Sequence, residues 1–255
     1  MAETAVLILA GGTPSPEMQQ ACGGVLNRAL VSLHGKPMLD YVVDAVRAGT
    51  DNARVLVAGD VPLPSGCVAV AGGDSLVDTL MNGVAGLNAH ETALLVVTAD
   101  LPFLTGVAVR DFVAQTQTGQ AAFWYPIVPA DICQARFPAM KRTTLRIAEG
   151  TFTGGNIVLL DPSFLRANEA TLRAAYARRK DVLALARLIG PGFLLRLIAS
   201  RAVPGLLGIG HVEAAIGRLL GGVSARAVVS QFSEIGADVD RPEDIALAEQ
   251  YLARV

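Results

Sequence analysis

The sequence predicts an α/β fold with a mostly parallel sheet, and three observations predict it. Short apolar runs of strand length recur along the chain, amphipathic helical patterns fall between them, and the first run, Val6-Leu7-Ile8-Leu9, ends on Ala10-Gly11-Gly12. A run that is apolar at every position suits a strand covered on both faces. Strands that alternate with helices return the chain to a parallel neighbour. The strands are expected at Ala5–Leu9, Arg54–Ala58, Cys67–Val70, Ala93–Thr98, Ala121–Val128, Ile157–Leu160 and Arg226–Val229. Pro37 heads a helix with Met38, Val42, Val43 and Val46 inward, since proline is tolerated in a first turn. Asp74–Leu87 is a second helix, with Leu76, Leu80, Val84 and Leu87 on one face. Gly106–Thr116, Pro162–Arg178 and Pro242–Ala253 complete the helical set.

From Lys180 to Gly222 the alternation stops, and two or three helices rich in Leu, Ile and Ala are expected, punctuated by Gly190-Pro191-Gly192 and Pro204-Gly205. We read residues 1–255 as one domain in which 180–222 is a helical insertion. The insertion is either a packed layer or homodimer interface, or else a lid or a surface that meets an apolar substrate or membrane face.

Composition narrows the function. A hydrophobic fraction of 52% supports a sizeable core, and the net charge of −2 argues against a nucleic-acid partner, which would favour a basic surface. Cys22, Cys67 and Cys133 are odd in number and far apart, so neither a disulfide framework nor a zinc site is expected and a reducing, cytoplasmic setting fits. The amino terminus carries Glu3 and lacks the basic stretch of a signal peptide. Mean hydropathy is +0.45, but Arg187, Arg196, Arg201 and Arg218 interrupt the apolar stretch, so no transmembrane segment is expected.

Several groups can carry chemistry. A strand that ends on two glycines lets backbone N–H groups approach a phosphate closely. Asp100 follows the strand Ala93–Thr98, where a carboxylate can hold Mg²⁺ against nucleotide phosphates or cap the next helix. Asp238 and Asp240 alternate on one side of an extended segment, one a candidate second metal ligand and the other a cap for the helix at Pro242. Thr153-Gly154-Gly155-Asn156 offers close backbone approach and a directional amide, or an ordinary tight turn. Arg28 and Lys36 are the cations nearest the glycines, and Lys36 sits in Gly35-Lys36-Pro37, itself a plain turn. The loop after Gly12 lacks the G-x-G-x-x-G spacing of dinucleotide folds.

Taken in order, these pieces resemble the MobA-like nucleotidyltransferase family, whose members include molybdenum-cofactor guanylyltransferases, sugar-phosphate nucleotidyltransferases and methylerythritol-phosphate cytidylyltransferases. The matching stretches are Leu9-Ala10-Gly11-Gly12, Asn27-Arg28-Ala29-Leu30 with Gly35-Lys36-Pro37-Met38-Leu39, Thr98-Ala99-Asp100-Leu101-Pro102, Thr153-Gly154-Gly155-Asn156 and Asp238-Val239-Asp240-Arg241-Pro242-Glu243-Asp244. The resemblance implies a Rossmann-like, three-layer fold of the nucleotide-diphospho-sugar transferase type. It implies a nucleoside triphosphate and Mg²⁺, with Asp100 and Asp238 or Asp240 on the metal. Leu9, Ala10, Gly11 and Gly12 would face the nucleotide, and Thr153, Gly154, Gly155 and Asn156 the small-molecule acceptor. Gly72-Gly73 followed after nine residues by Gly83 repeats the spacing that the family's cytidylyltransferases use around the base, with Thr79 at their serine and Leu76 at their arginine. Two departures stand out. Thr13-Pro14-Ser15-Pro16-Glu17 supplies no cation where active members carry arginine, and Arg28 stands where they carry lysine.

The expected function is Mg²⁺-dependent transfer of a nucleoside monophosphate to a small phosphorylated or cofactor-like acceptor, with Arg28, Lys36 and Asp100 as the catalytic set. The alternatives are a nucleotide-binding protein without turnover and a glycosyltransferase reading Asp238-Val239-Asp240 as its D-x-D motif.

Overall fold

In a computed structural model the described residues are 3–178 and 189–253. Among the described residues nine strands form one sheet, and two more form a separate small hairpin. At the centre of the sheet β1 (Glu3–Leu9) pairs in parallel with β4 (Val55–Ala58) on one side and β6 (Glu91–Thr98) on the other. β5 (Val68–Val70) extends that edge in parallel. On the other side β10 (Ile157–Leu160) runs against both β6 and β7 (Phe123–Pro129), and β11 (Ala225–Val229) lies parallel to β7. The hairpin of β8 (Leu145–Ile147) and β9 (Gly150–Gly154) closes the far edge antiparallel.

Alternate residues of the central strands feed two apolar layers. Val6 and Ile8 of β1, with Val55 and Val57 of β4, pack under α2 (Met38–Gly49) and α4 (Gly106–Thr116). Ala5 and Leu7 face the opposite way, under α3 (Leu76–Ala85) and α6 (Pro162–Ala177). The result is the three-layer, mostly parallel α/β fold that the sequence predicts. In α3 the inward residues are Val77, Gly83 and Val84, whereas Leu76 is left 44% exposed.

Of the predicted insertion, residues 180–188 lie outside the described residues. The remainder holds α7 (Pro191–Ala199) and α8 (Ile209–Leu219). Phe193, Leu197 and Leu207 pack on Ile147 and Phe152 of the β8–β9 hairpin, while Leu195 and Ile198 face solvent. Among the described residues no helix is long and apolar enough to cross a membrane.

One ion pair ties the sheet together at its amino end. Arg54 donates to both carboxylate oxygens of the buried Glu91, at 2.9 and 2.6 Å, and to the carbonyl of Gly86. The Arg54 hydrogen bonds hold the Glu91 carboxyl below its ordinary range against the effect of burial. A depressed carboxyl contributes stability above its unfolded pKa of about 4.3 and loses that contribution as pH falls through the lower folded value. Glu91→Gln is therefore expected to cost about 2 kcal/mol at neutral pH. Thermal melts across pH should show the gap from wild type closing below the ordinary glutamate range; a pH-independent gap would refute the ion-pair account.

Candidate active site

The candidate site lies beyond the carboxyl ends of β1, β4 and β6, where open α/β sheets bind ligands. Leu9 closes β1, and its carbonyl accepts from Ala99 N at 3.1 Å, holding the start of the β6 turn beside it. Ala10 N donates to Ala58 O at 2.7 Å, and Asn27 Nδ2 donates to Ala10 O at 2.8 Å. Asn27 also caps the short turn Arg28–Leu30 by accepting from Ala29 N at 3.0 Å. Arg28 N donates to Gly12 O at 2.8 Å. The arginine is thus fixed over the glycine turn from both sides.

Gly59 and Gly72, from the ends of β4 and β5, complete a glycine shelf beside Ala10 and Gly11. A Cβ on Gly59, whose φ is +147°, would stand 2.5 Å from Ala10 O, and a Cβ on Gly72 would stand 3.7 Å from the Gly59 Cα. Gly73 N donates to Thr79 Oγ1 at 3.1 Å, and that hydroxyl donates to Ser75 O at 3.1 Å. Thr79 therefore holds the glycine loop that follows β5.

The acids assemble from opposite ends of the chain. Val239 N donates to Asp100 O at 3.0 Å, which seats the segment 238–240 against the end of β6. Arg28 Nη1 donates to Asp100 Oδ2 at 2.9 Å and also to Asp240 Oδ1. Arg142 Nη1 donates to Asp238 Oδ1 at 3.1 Å. Burial, with the neighbouring carboxylates of Asp240 and Asp100, pushes the Asp238 carboxyl up to about 6 against the pull of Arg142. Neither expected capping duty falls to these acids. α4 is capped by Thr105, and the backbone N–H groups of Asp240 and Arg241 at the start of α9 (Pro242–Leu252) are met by Asp244.

The acceptor-side motif Thr153-Gly154-Gly155-Asn156 ends β9 and leads into β10. Thr153 is buried and donates to Thr143 O at 3.0 Å, so its hydroxyl braces the hairpin. Gly155 has no room for a side chain, because a Cβ would stand 2.6 Å from Ile235 and 2.7 Å from Pro126. Gly154, Gly155 and Asn156 line a cavity of about 600 Å³ with Arg142, Asp238 and Asp240. Lys36 is not brought to this cluster. It lies on the hairpin of β2 (Ser32–Leu33) and β3 (Lys36–Pro37), 2.5 Å from Asp44 and over the Tyr41 ring. The segment after Gly12 folds into α1 (Pro16–Ala21), capped by Ser15 and anchored by the buried Met18. Arg142 escaped the sequence reading. Its one signal is the basic pair Lys141-Arg142 ahead of the β8–β9 hairpin.

Residues 6–184 match the MobA-like NTP transferase domain. The chain belongs to that family. As a member it is a nucleotidyltransferase, a class of enzyme whose substrates are a nucleoside triphosphate and a small acceptor. A hypothetical transferase from Thermus thermophilus is 39% identical, with TM-score 0.83, the alignment covering 96% of this chain and 100% of that one. A 2-C-methyl-D-erythritol 4-phosphate cytidylyltransferase, also from Thermus thermophilus, is 20% identical, with TM-score 0.56, covering 99% of this chain and 100% of that one. A CMP:2-keto-3-deoxy-manno-octonic acid synthetase complexed with CTP is 16% identical, with TM-score 0.60, covering 99% of each. The last two show a shared fold. No curated protein matches the chain.

Among the described residues no group of three or more His, Cys, Asp and Glu side chains is arranged to hold a metal ion. Mg²⁺ does not need such a cage, since it is bound by one or two carboxylates with substrate phosphates and water. Asp100 meets that requirement: its Oδ1 is buried without a hydrogen-bond partner, beside the like charges of Asp238 and Asp240. The residues fit the ion, and Asp100 and Asp240 would hold it.

Proposed function

We propose that this enzyme transfers a nucleoside monophosphate from a nucleoside triphosphate to a small acceptor, with Mg²⁺ and release of pyrophosphate. The observation that carries the proposal is Asp100 at the end of β6, whose buried Oδ1 has no hydrogen-bond partner while its Oδ2 is held by Arg28. Backbone N–H groups of the shelf suit the phosphates, as they do in other concave nests of peptide groups. The acceptor oxygen would enter from the cavity lined by Gly154, Gly155 and Asn156 and bond to the α-phosphorus, while the bond to the pyrophosphate oxygen breaks. Bound Mg²⁺ supplies charge neutralisation on the phosphate oxygens. This chain's residues would position the groups and keep Arg28 beside the developing charge, so no covalent enzyme intermediate is needed.

The test is pyrophosphate release from ATP, GTP, CTP and UTP, each with and without Mg²⁺, across phosphorylated and hydroxylated acceptors. Thermal shifts beforehand would identify the nucleotide, because a ligand bound only by the folded state raises its stability by mass action. Mg²⁺-dependent release with one nucleotide is expected. Tight nucleotide binding with no pyrophosphate release in the presence of any acceptor would overturn the reading in favour of binding without turnover.

A further inference from the structure

A second cavity, of about 410 Å³, lies between α3, α6 and the sheet. Its size falls in the range of small-molecule sites, and its walls are hydrocarbon, with Leu76 and Leu80 from α3 facing Phe164 and Leu172 from α6. Thr98, which closes β6, and Asn156, just ahead of β10, stand together in its lining. They lie at the end of the sheet that carries Asp100.

Three features distinguish this space from ordinary packing. Leu76 is 44% exposed at the start of α3, an apolar side chain left at the cavity rather than drawn into the core. Thr98 Oγ1 is buried with no hydrogen-bond partner, a cost that protein interiors rarely carry without a reason. Asn156 has both backbone groups engaged, with Ile235 O and Thr98 N, while its carboxamide makes no hydrogen bond among the described residues. Asn156 also lines the polar cavity with Asp238 and Asp240, so the hydrocarbon cavity and the acceptor cavity meet at this residue.

We propose that the acceptor is an amphiphile: a hydroxyl or phosphate headgroup received by Asn156 and Thr98, joined to a hydrocarbon body that fills the cavity between α3 and α6. The proposal rests on the nucleotidyltransferase reading for the word acceptor, while the binding itself needs no nucleotide. A wholly polar acceptor would leave the apolar walls wet and the cavity without a role.

The experiment is calorimetric titration of the full-length protein, without nucleotide, with butyl, hexyl and octyl phosphate below their micellar concentrations. Affinity is expected to rise about fourfold per added methylene until the cavity is filled, the increment for moving one methylene out of water. Leu76→Arg changes an exposed helix position, so folding should survive, as a melt would verify. It should flatten the chain-length series, while its added guanidinium, at the same end of the sheet as Thr98, raises the affinity for all three phosphates alike. Asn156→Ala should weaken all three ligands by the same factor. A chain-length series already flat in wild type, or unaltered in Leu76→Arg, would overturn the proposal. Dodecyl phosphate offered in phosphatidylcholine vesicles separates the two sources of such a ligand. Co-sedimentation of the protein with those vesicles, and not with plain ones, means the amphiphile is taken from a bilayer; binding confined to the monomers in solution means it is taken from water. The two readings fail separately. A flat series beside robust pyrophosphate release defeats the amphiphile alone, and a steep series without release from any nucleotide defeats the transfer reaction alone.

Discussion

Asp100→Asn is expected to lower pyrophosphate release by about a thousandfold, equivalent to the several kcal/mol of charge stabilisation that a bound metal ion contributes. The substitution keeps the shape of the side chain and removes its charge. Asp100 Oδ2 receives Arg28, and Oδ1 is buried without a partner, so the two oxygens have separate duties. The amide nitrogen cannot replace the second oxygen as a ligand, and a neutral side chain no longer balances the guanidinium. Folding should be spared, because the change also relieves repulsion within a group of three neighbouring carboxylates, Asp100, Asp238 and Asp240. The assay pairs release rates at saturating Mg²⁺ with thermal unfolding midpoints. Undiminished release in a folded variant would remove Asp100 from the chemistry.

The central strands were legible because burial on both faces leaves a run of consecutive apolar residues, as in Val6–Leu9 and Leu94–Val97. The short elements were not. The hairpin Ser32–Pro37 has two residues per strand, and α1 and α5 (Ala130–Arg136) have six and seven residues, too few for a period to declare itself. Their stability comes from neighbours: Met18 of α1, for example, is buried with Val31, Leu33 and Val239. The acids could be found because each follows an apolar strand or precedes a helix-starting proline. Arg28 could be found too, beside the glycines, but Arg142 could not, since it is 96 positions from Asp238. The expectation that one of Asp238 and Asp240 caps the helix at Pro242 fails for a local reason. Asp244, two residues past Pro242, takes the capping work and leaves both aspartates in the cluster. Lys36 shows the opposite limit: it is near the glycines in sequence, in a stretch that also reads as a plain turn, while helical spacing in α2 places Asp44 within its reach.

Arg28→Ala is expected to separate metal binding from turnover. In the free protein one guanidinium nitrogen serves both Asp100 and Asp240, the two carboxylates best placed to hold a cation. Guanidinium stays charged throughout the working pH range, so it competes with any divalent ion for these oxygens. Removing it should raise the affinity of the nucleotide-free protein for Mn²⁺ by about tenfold or more, since a positive charge within hydrogen-bond distance of both ligands is lost. Electron paramagnetic resonance of free Mn²⁺ reads that change directly. Turnover should move the other way, falling about 10²- to 10³-fold, as when a preorganised charge-stabilising donor is deleted. Arg28 Nε makes the case specific: it is buried without a partner over the glycine turn, where a phosphate oxygen would meet it. Arg28→Lys should restore part of the competition with Mn²⁺ but little of the turnover, because an ammonium in the place of Nη1 can meet both carboxylates yet leaves no donor at the position of Nε. If Arg28→Ala bound Mn²⁺ no better than wild type, the bridge to Asp100 and Asp240 would be packing alone, and the cation that balances those acids would have to be sought in Arg142.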